Sequence, residues 1–157
     1  MARATTLQDH DDTWVVLVSY GDSEQEHVKV SFFGTIAFGR VGEPDFTEDG
    51  VLLVAALEDL MATKVKVVLQ RAEAKDYRDV AAMIRAGVSL SHGLAAARQI
   101  YGPNFQPSES LKALVYFNDG DLQTLAALDK QTLIDAVKAV RELPDVTLRS
   151  SSLSGLG

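Results

Sequence analysis

Near Leu57 the spacing of apolar residues in this chain changes period. Before that point they fall in short β-branched and aromatic runs, with alternation over 28–33, as strands lying on a sheet do. After it they recur every three or four residues, as one face of a helix does. Strands gathered at the front and helices at the back do not make the alternating units of a parallel α/β fold, so the pattern predicts an α+β protein.

The front half contains TWVVLVSY (13–20), a polar turn GDSEQE (21–26) and HVKVSFFG (27–34), which read as a hairpin with a long connection. In the second strand Val28, Val30 and Phe32 fall on one face, and Lys29, Ser31 and Phe33 on the other. Trp14, Tyr20, Phe32 and Phe33 read as core or interface residues. The glycine- and acid-rich segment 35–50 reads as irregular, with room for one short strand, and VLLVAA (51–56) as a short buried strand. A hairpin alone is marginal, so its open edge calls for a partner: a second copy, another chain, or VLLVAA itself.

In the back half Leu57, Leu60, Met61, Val65, Val68 and Leu69 make the apolar stripe of a first helix. A second is expected over 74–86, closed by Gly87, and a third over 90–101, capped by Ser89 and stopped by Gly102-Pro103. A fourth starts near Ser108, and a fifth runs over 130–143 before Pro144. Ser91, Ser108 and Ser110 read as caps like Ser89, and Tyr77 and Tyr101 as packing residues with their hydroxyls at the surface. The 157 residues suit one compact domain, divided into a β-rich part (1–56), a helical part (57–146) and a flexible tail (147–157).

Several function classes drop out. The chain has no cysteine, which removes disulfide and thiolate chemistry. Its histidines, His10, His27 and His92, lack any metal-ligand spacing, so no metal residue is assigned. The net charge of −7 argues against coating nucleic acid and leaves a local basic patch open. No apolar run spans a membrane and no secretory leader is present, so the expected location is cytoplasmic.

One row of charges stands out in TKVKVVLQRAEAKDYRDVAAMI (63–84). On a helix Lys64 and Arg71, seven apart, share a face to within about 20°. Lys75 continues the row, with Asp76 and Asp79 beside it. If the helix breaks near Glu73-Ala74, Asp76 falls in the first turn of the next, where the dipole favours it. Two readings stand open: a basic row for a polyanion such as a nucleoside triphosphate, or a solvated, salt-bridged face.

The same residues, Lys64, Arg71 and KDYRD (75–79), resemble the K-x6-R-x3-[RK]-D-x2-D signature of the AbiEii/AbiGii toxin-like nucleotidyltransferases. VKVSFFG (28–34), LEDLMATK (57–64), IYGPNF (100–105) and LKALVYFNDGDL (111–122) are also similar to that family, and the resemblance extends over 13–143. It implies a partial nucleotidyltransferase sheet followed by a helical bundle, transfer of a nucleotide from an NTP to an acceptor with Mg²⁺, and an antitoxin counterpart. It assigns nucleotide binding to Lys64, Arg71 and Lys75. It assigns catalytic roles to Lys64, Asp76 and Asp79: Lys64 would touch the triphosphate or activate the acceptor, and Asp76 or Asp79 would position the basic residues.

The family also uses a Gly-Gly or Gly-Ser turn and a D-x-D pair that holds two metal ions. Neither is found. Asp11-Asp12 precede the strand and, being adjacent, would point to opposite faces if they lay on one, and Asp119 and Asp121 lie in a glycine-bearing turn that reads as a loop or helix cap. Ser31 stands where the family often carries a third carboxylate, and a neutral hydroxyl does not replace a carboxylate as a hard-metal ligand or base. The expectation is that the chain starts inside the usual domain, that it is inactive alone, and that it retains nucleotide binding or assembles with a partner: an antitoxin, or a second copy at the strand edge. The alternative is a non-enzymatic interaction module, orphan or antitoxin-like.

Overall fold

A computed structural model describes residues 3–19, 27–33 and 38–152. The expected turn at 21–26, Tyr20, residues 34–37 and the last five residues of the tail lie outside the described residues. The chain divides into two compact units, residues 1–37 and 38–157.

The first unit is a three-stranded antiparallel sheet in the order β1 (Arg3–His10), β2 (Thr13–Ser19), β3 (His27–Phe33). β2 and β3 are the expected hairpin strands, and β1 is a strand the sequence did not announce. RATTLQDH holds a single large apolar residue, so the alternation that betrays a strand has nothing to act on. Asp11-Asp12 form the β1–β2 turn, and β1 supplies the partner that β2 required. VLLVAA does not join this sheet.

Register aligns Trp14, Val16 and Val18 with Phe32, Val30 and Val28 on one face. The Trp14 and Phe32 rings stack with centroids 5.0 Å apart. On the other face Val15 lies between Gln8 and Ser31. Val15 and Val16 are buried, whereas Trp14, Phe32 and Phe33 are exposed, so these aromatic residues are not core.

The second unit opens with a small ribbon, β4 (Asp45–Phe46) paired with β5 (Leu53–Val54), and continues with five helices. Val51, Leu52, Leu53 and Val54 are exposed instead of buried, because two-residue strands carry no layer above them. The helices are α1 (Leu57–Val67), α2 (Ala74–Arg85), α3 (Leu90–Tyr101), α4 (Pro107–Leu114) and α5 (Ala127–Ala139). Local signals set their ends. Gly87 takes φ 93° after α2, and the Ser89 hydroxyl accepts from the His92 N–H at the start of α3. Pro107 opens α4, where its missing N–H costs nothing. Ser110, expected as a cap, is instead buried within α4 and donates to the Val65 carbonyl at 2.7 Å. α5 begins and ends earlier than expected.

The core gathers Met61, Ala62 and Val65 of α1, Tyr77 and Val80 of α2, Leu94 and Ala97 of α3, Phe105, Leu114 and Leu133. Of the expected α1 stripe Met61, Val65 and Val68 are buried, but Leu57, Leu60 and Leu69 are exposed, and Asp59 is buried. The reason is polar. Asp59 Oδ1 accepts from the Val41 N–H at 2.7 Å and Oδ2 from the Gly42 N–H at 3.0 Å. The carboxylate therefore holds the GRVGEP loop (39–44) onto α1 and occupies two of its backbone donors. Asp59→Ala is expected to leave those N–H groups unpaired and cost about 1–2 kcal/mol, read as a lower urea midpoint at unchanged slope.

The end of the described chain is also tied down. The Arg40 N–H donates to Ser150 O at 3.0 Å, the Arg149 N–H to Arg40 O at 2.9 Å, and Arg149 Nε to Val41 O at 3.1 Å. Composition alone made this segment a flexible tail, but backbone pairing does not depend on side-chain type.

Candidate functional site

The charged row of the sequence sits at the α1–α2 junction. α1 ends at Val67, so Arg71 lies in the connection and Asp76 in the first turn of α2. The break places Lys64 and Arg71 on two sides of one carboxylate. Lys64 Nζ reaches Asp76 Oδ1 at 2.8 Å. Arg71 Nε reaches Asp76 Oδ2 at 2.8 Å, and its Nη2 donates to Oδ1 at 3.3 Å. The Asp76 side chain is 0% exposed, Lys64 is 27% exposed and Arg71 45%. A fully buried anion thus anchors two cations whose outer surfaces stay wet.

Asp79, one turn further along α2, contacts Lys64 Nζ at 2.6 Å and is half exposed. Lys75 pairs with Glu73 at 2.9 Å and does not reach Asp76. Ser31 belongs to the sheet of the first unit, exposed on β3. The structure therefore brings Lys64, Arg71, Asp76 and Asp79 together, with Lys75 at the rim.

Burial alone would raise the Asp76 carboxyl, but the hydrogen bonds from Arg71 and Lys64 outweigh it and hold it below its ordinary 3.8. Burial likewise disfavours the Lys64 ammonium, yet its bonds to Asp76 and Asp79 hold it above 10.5. All three groups are charged at neutral pH.

A second layer fixes the connection, and the sequence did not reveal it. Asp121 Oδ1 accepts from the Ala74 N–H at 2.6 Å, capping α2 from 47 residues away. Gly120 adopts φ 53°, and a Cβ there would lie 2.0 Å from the Ala72 carbonyl oxygen. NDGD was legible as a turn or cap, but its target was not, because a cap borrowed from distant chain leaves no local spacing. On α2 the Tyr77 hydroxyl does not reach the surface as expected: Tyr77 is buried and donates to the Ala113 carbonyl at 3.2 Å. Beside it, between α1, α4 and the NDGD turn, opens a cleft of about 380 Å³.

The donor set does not fit Mg²⁺. A catalytic magnesium needs carboxylate oxygens free to coordinate. Both Asp76 oxygens accept from cations, Asp79 faces Lys64, and no group of three or more Asp, Glu or His among the described residues could hold a metal ion.

A sequence model of the nucleotidyl transferase class matches residues 2–147; its description is nucleotidyl transferase AbiEii toxin, type IV toxin–antitoxin system. The match takes in both the sheet and the helical unit with its charged junction, and the chain belongs to the AbiEii toxin family. No curated protein and no solved structure matches. A toxin–antitoxin family brings an antitoxin as the expected counterpart. Among the described residues no helix is long and apolar enough to cross a membrane.

Proposed function

We propose that the α1–α2 junction binds the triphosphate of a nucleoside triphosphate. The supporting observation is the convergence of Lys64 and Arg71 on the buried Asp76 carboxylate. Asp76 holds both cations in place before any ligand arrives, so little side-chain freedom remains to be lost on binding. Arg71 contacts Asp76 through Nε and Nη2, which leaves Nη1 for a phosphate oxygen. Asp79 is half exposed, so a triphosphate oxygen can replace it on Lys64 at small cost. Lys75 adds positive charge at the rim. In the reaction of the family, nucleotidyl transfer, Lys64 would meet the transferred group and Asp76 would fix its position, with Asp79 as the exchangeable partner. The metal carboxylates of that reaction have no counterpart among the described residues, so in this reading the chain binds nucleotide and does not transfer it unaided. The outer edge of β3 is unpaired among the described strands and is where an antitoxin or a second copy would add a strand.

A second reading has its own support. Lys64, Arg71 and Lys75 are matched by Glu73, Asp76 and Asp79, and a neutral network of this kind suits a purely structural junction in an interaction module. Calorimetric titration and thermal unfolding with ATP, CTP, GTP and UTP, with and without Mg²⁺, separate the two. A binding nucleotide at 100 times its Kd adds about 2.7 kcal/mol of stability. Lys64→Ala is expected to weaken that binding by about tenfold or more, for a lost charge-assisted contact. If no nucleotide moves the unfolding curve, the structural reading stands alone.

A further inference from the structure

The cleft beside the junction has walls that suit a ring better than a phosphate. Its inner surface is apolar, formed by Val68, Ala72 and Leu122, and the buried Tyr77 ring closes one side. Tyr116 stands at the mouth and is half exposed. The cleft is also continuous in chain with the charged junction: Ala72 follows Arg71 and Tyr77 follows Asp76. The chain that carries the cations therefore also carries part of the cleft wall, Val68, Leu69 and Ala72 in the connection and Tyr77 on α2.

Three charged residues line this recess, and two of them, Glu109 and Lys112 of α4, pair with each other at 2.9 Å. Asp119 lies in the NDGD turn at the cleft, and its carboxylate makes no side-chain hydrogen bond or ion pair among the described residues. Asp119 and Tyr77 line the same cleft, and the Tyr77 hydroxyl is held above its ordinary value first by burial and then by the Asp119 charge. Ionised, Asp119 can only accept hydrogen bonds.

Resting on the triphosphate reading above, we infer that this cleft is the base subsite, and that Asp119 selects bases carrying an amino group. Cytosine, adenine and guanine each present an exocyclic NH₂ that a carboxylate accepts. Uracil presents carbonyl oxygens there, which a carboxylate repels. Tyr116 supplies an aromatic face that can cover the bound ring, as side chains do for stacked bases elsewhere.

Titration calorimetry on the full chain tests this with five probes: inorganic tripolyphosphate, CTP, ATP, GTP and UTP. The three amino-bearing nucleotides should bind about tenfold tighter than UTP and tighter than tripolyphosphate. Asp119→Asn presents either an acceptor or a donor and should shrink the preference over UTP to about threefold or less, with tripolyphosphate affinity unchanged. Asp119 lies exposed on a turn, so this variant is expected to fold. Tyr116→Ala should weaken all four nucleotides and leave tripolyphosphate alone. Equal affinity of tripolyphosphate and all nucleotides, or a discrimination against UTP untouched by Asp119→Asn, overturns the base subsite and leaves the triphosphate reading intact. If tripolyphosphate and every nucleotide fail to bind, the triphosphate reading falls and the subsite with it.

Discussion

Replacing Asp76 by alanine is expected to destabilise the helical unit by about 3 kcal/mol, a fall in melting temperature on the order of 10 °C. Asp76 is fully buried and ties Lys64 on α1, Arg71 in the connection and the first turn of α2 into one piece. Removing a partner from a buried ionic cluster costs about 3–5 kcal/mol when the remaining charges are trapped. Here Lys64 and Arg71 keep wet surfaces and can rehydrate, which places the loss at the lower end. Lys64→Met should cost less, about 1–2 kcal/mol, because Arg71 still holds the carboxylate at two points. The combined replacement Lys64→Met, Arg71→Met, Asp76→Leu should recover much of the loss, since apolar groups of similar size substitute well for a buried ionic cluster. A triple variant less stable than Asp76→Ala would mean that packing, not charge, holds the junction.

The pH dependence follows from the two shifts. Asp76 has a folded value below 3.8, so its contribution is present above that pH and lost as pH falls through the folded value. Lys64 has a folded value above 10.5, so its contribution is present below that pH and lost as pH rises through the folded value. The gap between the native protein and Asp76→Ala should be flat from about pH 5 to pH 10 and close on both sides.

Gly120→Ala should be nearly as damaging, costing about 3 kcal/mol. Two penalties act together. A φ of 53° costs a side-chain-bearing residue about 1–2 kcal/mol. The added methyl would lie 2.0 Å from the Ala72 carbonyl oxygen, a backbone atom that yields only if the connection shifts, and such overpacking adds about 1–3 kcal/mol. Ala72 sits between Arg71 and the Ala74 N–H that Asp121 caps, so the shift would reach the cations. Amide exchange should therefore quicken at Ala74 and Asp76, ahead of the α3 core. Exchange unchanged at those two positions would show that the turn does not hold the junction.

How far the sequence carried this structure depends on the range of each interaction. Gly87, Ser89 and Gly102-Pro103 act on chain within a few residues, and the ends of α2 and α3 fell where those signals placed them. The burial of Asp59 and the exposure of Leu57 and Leu60 were hidden, because the Asp59 carboxylate is satisfied by backbone 17 and 18 residues earlier. β1 was hidden for a different reason: it pairs chiefly through backbone, on a strand with almost no apolar side chains. At the site, the residue types and spacing of Lys64, Arg71, Asp76 and Asp79 were legible. Their mutual pairing needed the helix break that separates Lys64 from Asp76 by 12 positions. Asp121 and Gly120, which brace that break, were legible as a turn or cap, but the helix end they serve lies 47 residues away and left no local spacing.

The pairing of Arg40 with Arg149 and Ser150 brings the two ends of the described part of the helical unit side by side. A unit whose entry and exit share one doorway can be spliced into a host loop, or have its ends joined and reopened elsewhere, without stretching the body between them. Evolution and protein engineers alike can therefore treat residues 38–152 as a cassette, with its charged junction carried intact inside.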